Sequence, residues 1–112
     1  MLAEARSRIV RYTPAAAAAA DVLLVDLRSN DEREATGVIP GSVQVRRSVL
    51  EWRADPTSDS HDPRLAGRRL VLVCAHGYSS SLAAASLVEL GVDAGDLEGG
   101  FEAWSAAGLP VE

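Results

Sequence analysis

The stretch Leu70 to Leu90, LVLVCAHGYSSSLAAASLVEL, decides the fold. Four consecutive apolar residues, Leu70 to Val73, lead straight into the only cysteine of the chain, Cys74. Such a run fits a strand buried on both faces, as in a parallel sheet covered by helices. A short polar run containing Gly77 follows. The chain then turns almost wholly apolar, with Leu82, Ala83, Ala85, Leu87, Val88 and Leu90 against a single charge, Glu89. That pattern predicts a buried helix, closed at its C-terminus by Gly91. Cys74 therefore sits where a strand ends and a helix begins, the edge at which open parallel sheets bind ligands.

This bend has its own chemistry. Backbone amides of the loop and first helical turn have no partners inside the helix, so they point at whatever occupies the loop. Gly77 permits the φ values that close such a cradle. A thiol placed there is drawn toward thiolate. The plain alternative is a small buried residue, as lone cysteines usually are. The exit of a strand ahead of a polar, glycine-containing loop favours the reactive reading.

Composition bounds the rest. A chain of 112 residues holds one domain, 1–112, with a single core. A formal charge of −5 gives no general support to nucleic-acid or anionic-membrane binding. One cysteine makes no internal disulfide, which suits a reducing, cytoplasmic setting. His61 and His76 stand apart from any second ligand pattern, so neither a metal site nor a cofactor is expected. No run is long enough to span a bilayer. The Ala15–Ala20 run, bounded by Pro14 and Asp21, is too short for a secretory signal.

Taken in order, residues 1–20 read as a helical and extended N-terminal segment packed on the domain. A short helix over 2–8 has Arg6 and Arg8 on its polar side, and Ile9 to Tyr12 is extended. Thr13-Pro14 then caps an alanine helix. Val22 to Val25 is a second buried strand, ending at Asp26-Leu27-Arg28. Ser29 and Glu32 form a capping box for a helix from about Asn30 to Thr36. Val43-Gln44-Val45 is a short strand, and Ser48 with Glu51 predicts a second capping box before a helix near Val49 to Arg53. Residues 55–67, DPTSDSHDPRLAG, read as a surface loop. Asp96 to Glu98 is expected to be an edge strand, and Gly99-Gly100 precedes a helix anchored in the core by Phe101 and Trp104. Strands alternating with helices predict an α/β fold with a mainly parallel central sheet and helices on both faces.

Taken together these landmarks resemble a rhodanese domain. They are Val25-Asp26-Leu27-Arg28, Gly37-Val38-Ile39-Pro40-Gly41, Cys74-Ala75-His76-Gly77-Tyr78-Ser79-Ser80, Leu97-Glu98-Gly99-Gly100-Phe101-Glu102-Ala103-Trp104 and Gly108-Leu109-Pro110. They follow the family's order over residues 22 to 111. VLEWRADP, Val49 to Pro56, is similar to a small single-domain bacterial subset. The resemblance implies a rhodanese-like fold and a sulfurtransferase whose Cys74 takes sulfane sulfur as a persulfide. The donor would be thiosulfate or a persulfide, and the acceptor a thiol, a cyanide-like nucleophile or a protein. Two positions depart from the pattern. Val38 stands where the family often has histidine, and Ser79 where the loop commonly has arginine. Loss of that arginine weakens the case for thiosulfate as natural donor, while a cradle of backbone donors survives it.

The same resemblance makes Ala75, His76, Gly77, Tyr78, Ser79 and Ser80 the substrate cradle around the catalytic Cys74, with Asp26 and Arg28 structural beside it. Tyr78 is placed to bond a substrate oxygen, and the Ser79 and Ser80 hydroxyls a sulfur anion; alternatively Ser80 or Ser81 caps the helix. Arg46, Arg47, Trp52 and Arg53 are candidates for the substrate rim. There Arg46 or Arg47 supplies the charge that Ser79 lacks, or the two form a solvated basic pair. His76 as a general base is disfavoured, because a stabilised thiolate needs none. Related phosphatases and arsenate reductases require a longer loop and an arginine where this chain has Ser80, so phosphoryl transfer ranks last. Between them stands a non-catalytic rhodanese-like module that binds a partner or senses oxidants through Cys74.

Overall fold

In the computed structural model, which describes residues Met1–Glu112, the apolar run becomes strand β4 (Leu70–Val73), with every residue buried. Leu70 and Leu72 point to one side of the sheet, Val71 and Val73 to the other. This is the alternation a strand imposes. The other strands are β1 (Val10–Tyr12), β2 (Leu23–Asp26), β3 (Val43–Gln44) and β5 (Ala94–Leu97). They form one five-stranded sheet in the order β1-β5-β4-β2-β3, parallel throughout.

The register aligns Asp26 with Gln44 on one side and Val73 on the other. Strand ends that carry Asp26, Gln44 and Val73 therefore share one edge, and the loop after Val73 opens there. Helices α4 (Leu50–Ala54) and α5 (Ser79–Glu89) cover one face over Val25, Leu70 and Leu72. Helices α2 (Pro14–Ala19) and α6 (Gly100–Ala106) cover the other, where Ala17, Phe101 and Trp104 meet Val71, Val73 and Leu97. Helix α1 (Leu2–Ser7) lies on α5, burying Ala5. No helix is long and apolar enough to cross a membrane.

The predicted capping box at Ser29 forms: its hydroxyl accepts from Glu32 N at 3.2 Å and Glu32 Oε1 from Ser29 N at 3.1 Å, opening α3 (Asn30–Thr36). Four expectations change. Ser48 caps nothing: a 3-10 turn over Arg47–Val49 runs into α4, and Glu51 instead accepts from Arg47 and from Ser86 Oγ. The strand containing Asp96 is not an edge. β1 pairs beyond it, so β5 is internal and Asp96 is wholly buried. Residues 55–67 are not all surface: Asp62 caps a 3-10 turn over Pro63–Leu65, and Leu65 joins the core. Arg6, expected on the solvent side of α1, is half-buried and reaches the Cys74 loop.

Candidate active site

Cys74 leaves β4 at the shared strand edge and is buried. Its Sγ accepts two backbone amides, Gly77 N at 3.1 Å and Ser80 N at 3.4 Å, the second from the first turn of α5. Burial pushes the Cys74 thiol up. The amides of Ser80 and Gly77, with the Ser79 hydroxyl, pull it further the other way, and the net position lies below the ordinary thiol value. Ser80 also commits its one hydroxyl proton elsewhere, donating to Asp96 Oδ2 at 2.9 Å. The two amides are therefore the fixed part of the cradle.

The amides face inward because the loop carbonyls are claimed from outside. Cys74 O accepts Phe101 N at 2.8 Å and Ala75 O accepts Glu102 N at 3.1 Å, so the start of α6 holds the first half of the loop. This contact requires Gly100, φ +64°, where a Cβ would collide with the carbonyl of Cys74. Gly77, φ +84°, backs onto Gly99 N, which would lie 2.8 Å from any Cβ placed there. Gly77 O accepts Arg6 Nη2 at 3.0 Å and Arg11 Nη2 at 3.1 Å.

Beneath the loop, Asp96 accepts Arg11 Nε at 2.9 Å, Ser80 Oγ at 2.9 Å and Ser81 Oγ at 2.7 Å. Neither serine is a helix cap. Tyr78 takes that place without a side-chain bond, and its ring is largely exposed beside the hollow. Asp96, Arg6, Arg11 and Ser81 were absent from the sequence-derived site. The readable signal is a lone carboxylate inside the strand AGDL, which is buried because β5 lies inside the sheet rather than at its edge.

Two adjoining hollows open at the loop. The smaller, about 250 Å³, is lined by Cys74, Ala75, His76, Tyr78, Ser79, Leu27, Arg28 and Glu32. The larger, about 700 Å³, shares Arg28, Glu32, Ala75 and His76 and extends between α3 and α6 over Phe101 and Ala35 to Glu102. Arg28 is 3% exposed, and every nitrogen of its guanidinium donates a hydrogen bond. It donates to Asp26 Oδ2 at 2.9 Å, Thr36 Oγ1 at 2.8 Å and Gly37 O at 2.7 Å, and stacks 3.8 Å from the Phe101 ring centroid. Arg33 Nε lies 3.3 Å from Asp26 Oδ2 without hydrogen-bond geometry. His76 Nδ1 is 2.8 Å from Glu102 Oε2 at the exposed rim.

The four predicted rim residues are not brought to the sulfur. Arg46, Trp52 and Arg53 line a separate hollow with Gln44 and Asp62. Arg47 pairs with Glu51 at 2.8 Å. They follow β3 onto the same sheet edge, but the 3-10 turn and α4 carry them away from the Cys74 hollows. The charge missing at Ser79 is not supplied from that side.

The model of the rhodanese-like domain matches residues 12–107. The thiosulfate sulfurtransferase GlpE of Pseudoalteromonas translucida is 35% identical over 89 residues, 78% of this chain and 76% of that protein. Among solved structures, a Rhodopseudomonas palustris protein described as of unknown function and a possible tyrosine phosphatase is 39% identical. It superposes with a TM-score of 0.91 over 99% of this chain and 90% of its own. A rhodanese-related protein of Thermoplasma volcanium is 25% identical, with a TM-score of 0.76 over 91% of this chain and 96% of its own.

Proposed function

The chain belongs to the rhodanese-like domain family, and from that premise we propose that it is a sulfurtransferase that carries sulfane sulfur on Cys74. The observation that supports this most is the sulfur itself, held by the amides of Gly77 and Ser80 at the floor of an open hollow. Amide donors stabilise an anionic sulfur without needing a base, so His76, paired with Glu102 at the rim, has no proton to move.

In the first half-reaction the Cys74 thiolate attacks the outer sulfur of the donor. The new S–S bond forms as the donor's S–S bond breaks, and the donor remainder leaves with that electron pair: sulfite from thiosulfate, a thiolate from a persulfide. In the second, a thiolate of a small molecule or protein, or cyanide, attacks the terminal sulfur; the bond from that sulfur to Cys74 Sγ breaks and the Cys74 thiolate departs with its electron pair. The larger hollow beside Ala75 and His76 is where an acceptor has room to approach.

Charge at this mouth supports a weakly charged donor. Arg28 is committed to Asp26, and Glu32 and Glu102 add carboxylates to the lining. A persulfide therefore suits the site better than dianionic thiosulfate. In this reading residues 1–112 work as one unit, because residues ahead of the family match reach the loop through Arg6 and Arg11. Phosphoryl transfer lacks support: its oxygens need a cation at the loop, and Ser80 and Ser81 there turn their hydroxyls to Asp96.

Intact-protein mass measurement after treatment with a persulfide or with thiosulfate tests the proposal. One added sulfur, lost on cyanide treatment and absent in Cys74→Ser, is the expected result. A protein that never gains sulfur from either donor is a binding or oxidant-sensing module instead. Release of nitrophenol from p-nitrophenyl phosphate that Cys74→Ser abolishes would reinstate the phosphatase reading.

A further inference from the structure

Two arginines converge behind the Cys74 loop from a part of the chain that the family model does not include. Arg6 comes from α1 and Arg11 from β1, whereas the family match begins at residue 12. Both donate to one atom, Gly77 O, at 3.0 and 3.1 Å. Arg6 Nε also donates to Ser81 Oγ at 3.1 Å, and Arg11 holds the wholly buried Asp96 through Nε at 2.9 Å and Nη2 at 3.3 Å. Asp96 in turn receives the hydroxyls of Ser80 and Ser81 in the first turn of α5. The same residues, Gly77 and Ser80, present their amides to Cys74 Sγ. The clamp therefore grips the loop by the two residues whose N–H groups touch the sulfur.

We propose that Arg6 and Arg11 are positioning residues for Cys74: with Asp96 they fix the amide cradle from behind and place there the net positive charge that Ser79 does not supply in front. Two guanidiniums against one carboxylate leave one positive charge beneath the loop, on partly buried side chains. Of the other charged groups around the loop, Arg28 and Arg33 share Asp26, and Glu32 and Glu102 line the hollows in front. His76 lies against Glu102 at the exposed rim, and Tyr78 is exposed. The thiolate and any anionic product on it thus have this cation behind the loop, opposite the carboxylates in front.

The inference stands apart from sulfur transfer, because alkylation reads the thiolate without any donor. The rate of Cys74 alkylation against pH should be measured in the full chain and in three variants. Arg6→Gln keeps a donor at Gly77 O but removes a charge, and should raise the apparent thiol pKa by roughly half to one unit, a three- to tenfold loss of thiolate near neutrality. Arg6→Lys should restore most of it. Asp96→Asn should shift the pKa the other way, since it leaves both cations unopposed and frees the Ser80 hydroxyl. Opposite signs for Arg6→Gln and Asp96→Asn are what a scaffold alone does not produce. If both variants move the pKa in one direction, or Arg6→Gln leaves it in place, the charge assignment is wrong. Should Asp96→Asn fail to fold, the pair Arg6→Gln and Arg6→Lys decides: no shift in the first, or no recovery in the second, overturns it.

Discussion

Replacing Arg28 by alanine separates scaffold from chemistry at the strand edge. The guanidinium is buried to 3% exposure and holds Asp26, itself 1% exposed, through Oδ1 at 3.1 Å and Oδ2 at 2.9 Å. It also ties Thr36 and Gly37 at the end of α3 and lies on the Phe101 ring. Alanine leaves Asp26 with the amide of residue 28 at 3.0 Å and with Arg33 nearby. Breaking a buried ion pair on one side costs about 3–5 kcal/mol. The surviving partners of Asp26 place this variant near the lower end, about 3 kcal/mol. At about 2.1 cal/mol/K per residue, a chain of this length has an unfolding entropy of roughly 0.24 kcal/mol/K, so Tm should fall by about 13 °C. Sulfur loading, followed by mass well below both melting points, should fall as well, because Arg28 walls both hollows. The double variant Asp26→Asn/Arg28→Met should melt higher than Arg28→Ala, since it removes the buried carboxylate together with its main partner. Lost turnover with Tm within about 3 °C of wild type would refute this reasoning and move Arg28 into the catalytic step.

Further consequences are as direct. Ser79→Arg should raise kcat/KM for thiosulfate relative to a persulfide donor by roughly tenfold, the worth of one charge-assisted bond; an unchanged ratio shows that this serine does not set donor choice. The Cys74 pKa lies below the ordinary thiol value. The stability it contributes is therefore full above the unfolded thiol's pKa and lost as pH falls through the folded one. Urea unfolding should show wild type gaining on Cys74→Ser as pH rises from neutral into the alkaline range; a constant gap contradicts this. The Arg64 side chain, bonded 2.6 Å from Asp62, holds the Asp62 carboxyl down at about 2. The melting difference between wild type and Asp62→Asn should accordingly be full above about pH 4 and shrink toward pH 2.

The sequence disclosed what depends on local pattern. Leu70–Val73 could only be a strand covered on both sides, Ser29 and Glu32 could form their box within one turn, and Cys74 followed from the strand end. What it hid depends on which strands become neighbours. Asp96 reads as solvated if β5 ends the sheet, and as a buried charge needing partners if β1 lies outside it. Nothing in VRY, a short piece with one arginine, announces that it will pair there. Once it does, Arg11 is set opposite Asp96 by register. The same gap explains Arg46 and Arg47. Their position after β3 was right, but the direction taken by the following turn is decided by Leu50 entering the core, 0% exposed, and not by the basic residues themselves.

The placement of cations matters because of what stays constant in the proposed cycle. Cys74 as thiolate and Cys74 as persulfide anion each carry one negative charge, and the amides of Gly77 and Ser80 serve both. A positive charge behind the loop lowers the two states together, so it favours a ready nucleophile without trapping the loaded form. A positive charge in front, at residue 79, would act mainly on donors and leaving groups that carry more charge than the sulfur they deliver. With Arg6 and Arg11 behind and Glu32 and Glu102 in front, the loop can keep its sulfur anionic while giving a departing dianion nothing to hold. In the proposed cycle donor choice is thus set from the front of the loop, while the cations behind it act on the sulfur alone. Changes at Ser79 should alter donor preference, whereas Arg6→Gln should alter Cys74 acidity and leave the ratio of kcat/KM for the two donors unchanged.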